Sequence, residues 1–106
     1  MSDPSGEIVL SIDGKDYAMK PSFKFLTRVE DLLDRPITQV VMELVGGHVR
    51  YGHMAIVIQQ GIIAAGGQPP SFNDIGEWLR RTPPQDVAGP VSRMLTEALH
   101  SGPKPN

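Results

Sequence analysis

Three histidines, twelve carboxylates and no cysteine limit the chemistry open to this chain of 106 residues. His48 and His53 stand five apart around a glycine-containing connector, and His100 lies far along the chain. A helical metal site needs ligands at i and i+4 on one face, or cysteines in close pairs, and neither pattern occurs. The histidines therefore read as surface or helix-end residues, and no metal or cofactor is expected. Asp13 and Asp16 flank a turn, and the turn itself accounts for Asp13. Glu30, Asp31 and Asp34 fall on the polar side of a helix and read as a solvated face, not as a paired acid and base. Gly46-Gly47 and Gly66-Gly67 follow helices instead of opening them, so neither forms a phosphate cradle. No Ser/His/Asp constellation can be assembled, and the expectation is a protein that is not an enzyme.

Apolar contact is the chemistry that remains. Trp78 and Phe72 could anchor a partner, but their helical spacing favours places in the core. Ile56 and Ile63 are sharper candidates. In the helix expected from about Gly52 to Ala65, steps of 100° put Met54, Ala55, Val57, Ile58, Gly61, Ile62, Ala64 and Ala65 in one broad arc. Gln59 and Gln60 then face water, and Ile56 and Ile63 fall on that same side as an i, i+7 pair. Either a fourth or fifth helix covers them, leaving this helix buried all round, or they form an apolar strip that docks an amphipathic partner helix.

The elements around them are legible in order. Asp13-Gly14 is a strong signal for a type I′ hairpin turn, which needs two residues tolerant of positive φ. A two-residue loop pairs Ile12 with Lys15, Leu10 with Tyr17 and Ile8 with Met19 on one face. Ser11–Asp16, Val9–Ala18 and Glu7–Lys20 fall on the other. A lone ribbon is marginal in water, so its apolar face must lie on something. Pro21 ends the ribbon, and Ser22 caps a first helix carrying Phe25, Leu26, Val29, Leu32 and Leu33. Asp34-Arg35-Pro36 stops it. A second helix, from about Thr38 to Val45, is apolar at 37, 40, 41, 44 and 45, with Gly46-Gly47 as its C-terminal cap.

Gly52 is the expected N-cap of the third helix, with Tyr51 stapled onto Ile56, and Gly66-Gly67 follows its end. Gly61, inside it, costs about 1 kcal/mol against alanine, which close packing of another element would explain. Ser71 caps a short fourth helix bearing Phe72, Ile75, Trp78 and Leu79, with Arg80 and Arg81 complementing its dipole. Thr82-Pro83-Pro84-Gln85 has capping-box spacing, and the periodicity of Val87, Val91, Met94, Leu95, Ala98 and Leu99 continues through Gly89-Pro90. A kink or a fresh start is expected at Pro90.

The fold class is thus α+β and mainly helical, an N-terminal β-hairpin packed on a bundle of four to five short helices. Residues 1–106 form one domain, with 1–5 and 101–106 as flexible ends. Ten basic against twelve acidic residues give a net charge of −2 with no basic stripe, which weighs against nucleic acid. The polar start carries no secretory signal, and Met54 to Ala65 is too short and too interrupted to span a bilayer. A cytoplasmic protein is the expectation.

From Gly6 to Gly66 the sequence resembles the gene transfer agent family of small phage-tail proteins, the tail assembly chaperones of gene transfer agents and related siphophages. The family is also described as tail-tube protein. The resemblance rests on Gly6-Glu7, on Ile12-Asp13-Gly14-Lys15-x-Tyr17, and on Lys20-Pro21-Ser22-Phe23 with Glu30. It continues in Gly61 and Ala64-Ala65-Gly66. Arg50-Tyr51-Gly52 departs from it where a hydroxyl or acidic cap is usual, and the part after Gln68 matches loosely. The resemblance implies a protein that binds the long helical tape-measure protein and keeps it soluble in the host bacterial cell while tail-tube subunits polymerise around it. Met42, Met54 and Met94 would supply adaptable contacts. A structural place in the tail tube is the alternative, and self-association is left open. A small enzyme or regulator would need a ligand site that is not found.

Overall fold

The computed structural model describes residues 7–100, with the side chain of His100 excepted. A two-stranded antiparallel hairpin, β1 (Ile8–Ile12) and β2 (Lys15–Met19), leads into five helices. These are α1 (Phe23–Leu33), α2 (Ile37–Val45), α3 (Tyr51–Ala64), α4 (Phe72–Arg81) and α5 (Pro84–His100). The expected flexible ends, 1–5 and 101–106, lie outside the described residues.

The hairpin register is the one its turn dictates. Asp13 (φ 51°) and Gly14 (φ 82°) both take the left-handed conformation, and Ile8, Leu10 and Ile12 oppose Met19, Tyr17 and Lys15. Ile8, Leu10, Ile12 and Met19 are buried, and β1 and β2 lie on α5 and α3 respectively. Pro21, also buried, turns the chain, and the Ser22 hydroxyl accepts the Phe25 N–H at 3.1 Å to open α1.

Helix α3 is the centre of the molecule, touching α1, α4, α5 and β2. Gly61 is where that crowding is greatest. A Cβ there would come within 2.8 Å of Met94 Cε, 3.1 Å of Met19 Cβ and 3.3 Å of Met19 Cγ. Its carbonyl accepts the Lys20 N–H at 3.0 Å, fastening the end of β2 to the helix. Close packing thus accounts for a glycine in mid-helix.

Both long loops begin with the same helix ending. Gly47 (φ 76°) and Gly66 (φ 89°) take the left-handed position after α2 and α3. His48 N–H donates to Glu43 O and Gly47 N–H to Leu44 O; Gly67 and Gly66 repeat this to Ile62 O and Ile63 O. These paired bonds form a Schellman ending, which only a residue tolerant of positive φ permits at low cost.

Several local expectations are corrected. Helix α2 begins at Ile37, because the Glu30 carboxylate accepts the Ile37 N–H at 2.8 Å and supplies the cap that Pro36 lacks. Glu30 is therefore a structural cap and not part of a solvated face. Helix α3 begins at Tyr51 with Arg50 at the N-cap, so Gly52 is not the cap and Tyr51 is not placed as a staple. Thr82 does not open α5. Its hydroxyl donates back to the Trp78 carbonyl, and α5 runs unbroken from Pro84 with Pro90 inside it. Proline there lacks the N–H that would reach residue 86, but burial of Val87, Val91, Met94 and Leu95 holds both sides of it in one helix.

Candidate protein-binding surface

The functional question falls on apolar side chains that the core leaves outside. Of the predicted pair, Ile63 is 47% exposed, whereas Ile56 is half-buried. Their strip is therefore covered at one end and open at the other. Gln60 was expected to face water but is only 6% exposed, because α1 packs over that flank of α3. The helix is enclosed more widely than its own polar residues suggest.

Two contacts fix how α1 lies there. Just before α1, Lys20 is bonded to Gly61 near the end of α3. Just after α1, Arg35 Nη1 pairs with Glu43, whose other oxygen lies 3.3 Å from His53 Nδ1 in the first turn of α3. The two helices are consequently antiparallel neighbours. Between them lies a shallow groove of about 100 Å³ lined by Lys24, Phe25, Arg28, Gln60, Ile63 and Ala64.

A second exposed apolar region lies on α2, where Met42 and Val45 are 73% and 78% exposed. The expected stripe of α2 included Val45, but the neighbouring helices cover only Ile37 and Val40 fully and Val41 and Leu44 in part. Leu32 on α1 and Phe72 on α4 are likewise exposed, against expectation. Trp78 is buried, which answers the choice between anchor and core for that residue. Of the three methionines proposed as adaptable contacts, Met54 and Met94 belong to the core and only Met42 is available. Met42 lies off the apolar stripe of α2 at 37, 40, 41, 44 and 45, whereas Met54 and Met94 lie on the stripes of their helices, so the period alone distinguishes them. The remaining predicted positions, Asp13, Gly14, Pro21, Ser22, Gly61 and Gly66, act in turns, caps and packing and are not gathered into one site.

Arg35, Glu43 and His53 form the one shared ionic cluster among the described residues. Burial alone would raise the Glu43 pKa. The His53 hydrogen bond and the Arg35 charge and hydrogen bond outweigh it and hold the carboxyl below its usual value of 4.5. A depressed native pKa adds stability above the unfolded-state pKa and loses it as pH falls through the native one. Glu43→Gln should therefore lower the thermal midpoint at pH 7, and the gap from the unmodified protein should close as pH falls through the lowered pKa of the carboxyl, below 4.5. Midpoints followed by circular dichroism from pH 7 to pH 3 test this; a gap independent of pH would remove the ionic explanation.

No group of three or more His, Asp or Glu side chains could hold a metal ion among the described residues. No helix there is long and apolar enough to cross a membrane. Fold and surface together define a small α+β, mainly helical domain with outward apolar side chains beside a basic-rimmed groove. The family described as phage tail tube protein, GTA-gp10, matches residues 5–101, and the chain belongs to that family of phage and gene transfer agent tail proteins. The match extends the resemblance through α4 and α5, beyond the Gly6–Gly66 stretch that carried it. No curated protein and no solved structure matches the chain.

Proposed function

We propose that the protein is a non-catalytic tail-assembly factor that binds the tape-measure protein and keeps it soluble in the bacterial cytoplasm until tail-tube subunits enclose it. The observation that carries this reading is the half-exposed Ile63 in the α1–α3 groove of a phage-tail family member. The other exposed apolar side chains are spread over β1, α1, α2, α3, α4 and α5 and are not confined to one element. Scattered contacts suit weak, displaceable binding, whereas a permanent subunit interface usually buries more than about 2,000 Å² with an apolar centre. The family description favours a second reading, a structural subunit of the tail tube.

Co-expression with the tape-measure protein separates the two. The first reading expects more soluble tape measure, co-purification with this chain, and absence of the chain from finished tails. Rings or tubes of the chain alone, with many copies in the particle, would establish the second.

Ile63→Ser should weaken tape-measure binding yet cost no more than about 1 kcal/mol of stability, since half of the side chain already meets water. Ile56→Ser should cost more, because Ile56 is half-buried. Pull-down and thermal melts of each variant provide the check, and unchanged capture by Ile63→Ser would exclude that residue from the interface.

A further inference from the structure

The α1–α3 groove has a charge as well as a shape. Its floor is Phe25, Ile63 and Ala64, while Lys24 and Arg28 stand one helical turn apart on α1 at its rim. Both basic side chains are exposed, and neither forms an ion pair among the described residues. Asp31, three residues beyond Arg28, is not within ion-pair distance of it. In a chain of net charge −2, this is a local reversal of sign beside an apolar opening. The opening is small, about 100 Å³, and mostly apolar in its lining, which suits an aliphatic side chain.

We infer that the groove takes a single aliphatic residue of an amphipathic helix whose positions one turn to either side are Asp or Glu, paired with Lys24 and Arg28. This deepens the tape-measure reading and rests on it for the identity of the partner, though not for the chemistry recognised. An apolar anchor supplies most of the affinity in helix-in-groove binding, and flanking charges select the sequence and orientation. The buried Gln60 side chain lines the same groove, so a neutral polar group is also present where the anchor's backbone would approach.

The test uses the full chain and three synthetic helical peptides of about 18 residues, long enough to hold a helix. One carries a leucine with glutamates four residues before and after it. The second replaces the glutamates by lysines, and the third replaces the leucine by serine. In amide correlation spectra, the glutamate peptide should shift the signals of Lys24, Arg28, Ile63, Ala64 and the Gln60 side chain. The lysine and serine peptides should bind at least about fivefold more weakly. Lys24→Glu combined with Arg28→Glu, at exposed positions that the fold tolerates, should reverse the preference between the two charged peptides. Equal response to both, shifts confined to other surfaces, or no shift at millimolar peptide would overturn the inference. Co-expression of the same double variant with the tape measure distinguishes the two levels. Tape measure solubilised equally by both forms would retain the assembly reading and exclude the groove as its tape-measure contact. Peptide selectivity with a tape measure that neither form solubilises would retain the groove and discard that partner.

Discussion

Gly61→Val is expected to lower the thermal midpoint by roughly 15 °C or more, corresponding to about 3 kcal/mol in a domain of this size. Replacing glycine by a side chain in a helix normally gains stability, up to about 1 kcal/mol for alanine. Here the space decides the sign. Met94 Cε, 2.8 Å from the added Cβ, ends a flexible side chain and can rotate away. Met19 Cβ, at 3.1 Å, is tied directly to the β2 backbone and can move only with the strand. Valine adds two further carbons to that gap and would press the hairpin off α3, straining the Lys20–Gly61 bond. Gly61→Ala should be milder, its propensity gain offsetting part of the crowding. Combining Gly61→Ala with Met94→Ala should cost less than the sum of the single changes, since the first fills space that the second vacates. Additive costs in urea unfolding would show that the two positions do not share that space.

Trp78→Ala should destabilise by about 3–5 kcal/mol, comparable to the whole stability of many small domains. Trp78 is 8% exposed and shares the core with Ile75 and Leu79 on α4. Removing it leaves a cavity between α4 and the rest of the core that backbone relaxation fills only in part. Phe72→Ser, on the same helix but exposed, should change stability by no more than about 1 kcal/mol. Circular dichroism is the proper readout, because Trp78 is the only tryptophan and its removal also removes the fluorescence signal. Similar costs for the two variants would contradict the assignment of Trp78 to the core and Phe72 to the surface. If Phe72→Ser also reduces partner capture, α4 joins the binding surface.

The two helix endings show how local chemistry can settle local structure. Gly47 and Gly66 adopt positive φ where the sequence placed caps, since the demand for a residue without Cβ arises within a few positions of chain. Glu30 shows the opposite case. Its carboxylate caps α2 across the bend from α1, seven residues away, and nothing in the periodicity of α1 distinguishes it from Asp31. The same limit applies to Pro90, where a local rule allowed a kink or a fresh start, and core burial on both sides keeps a single helix, so no fresh start occurs.

By itself the sequence determined the hairpin, its register, the helical class, the caps at Ser22 and Ser71, and the need for close approach at Gly61. These follow from φ preferences, strand alternation and helical period, all of which act within about twenty residues. It also carried the family resemblance, through turn and cap residues. Only the tertiary structure decided which apolar side chains remain outside. Leu32, Val45 and Phe72 are exposed while Trp78 is buried, although every one of them lies on the apolar stripe of its helix. The physical reason is that periodicity defines a face of one helix, whereas burial depends on how far a neighbouring helix overlaps that face. Antiparallel packing of α1 on α3 covers Gln60, leaves Ile63 half open, and brings Lys24 and Arg28 to the rim of the same groove.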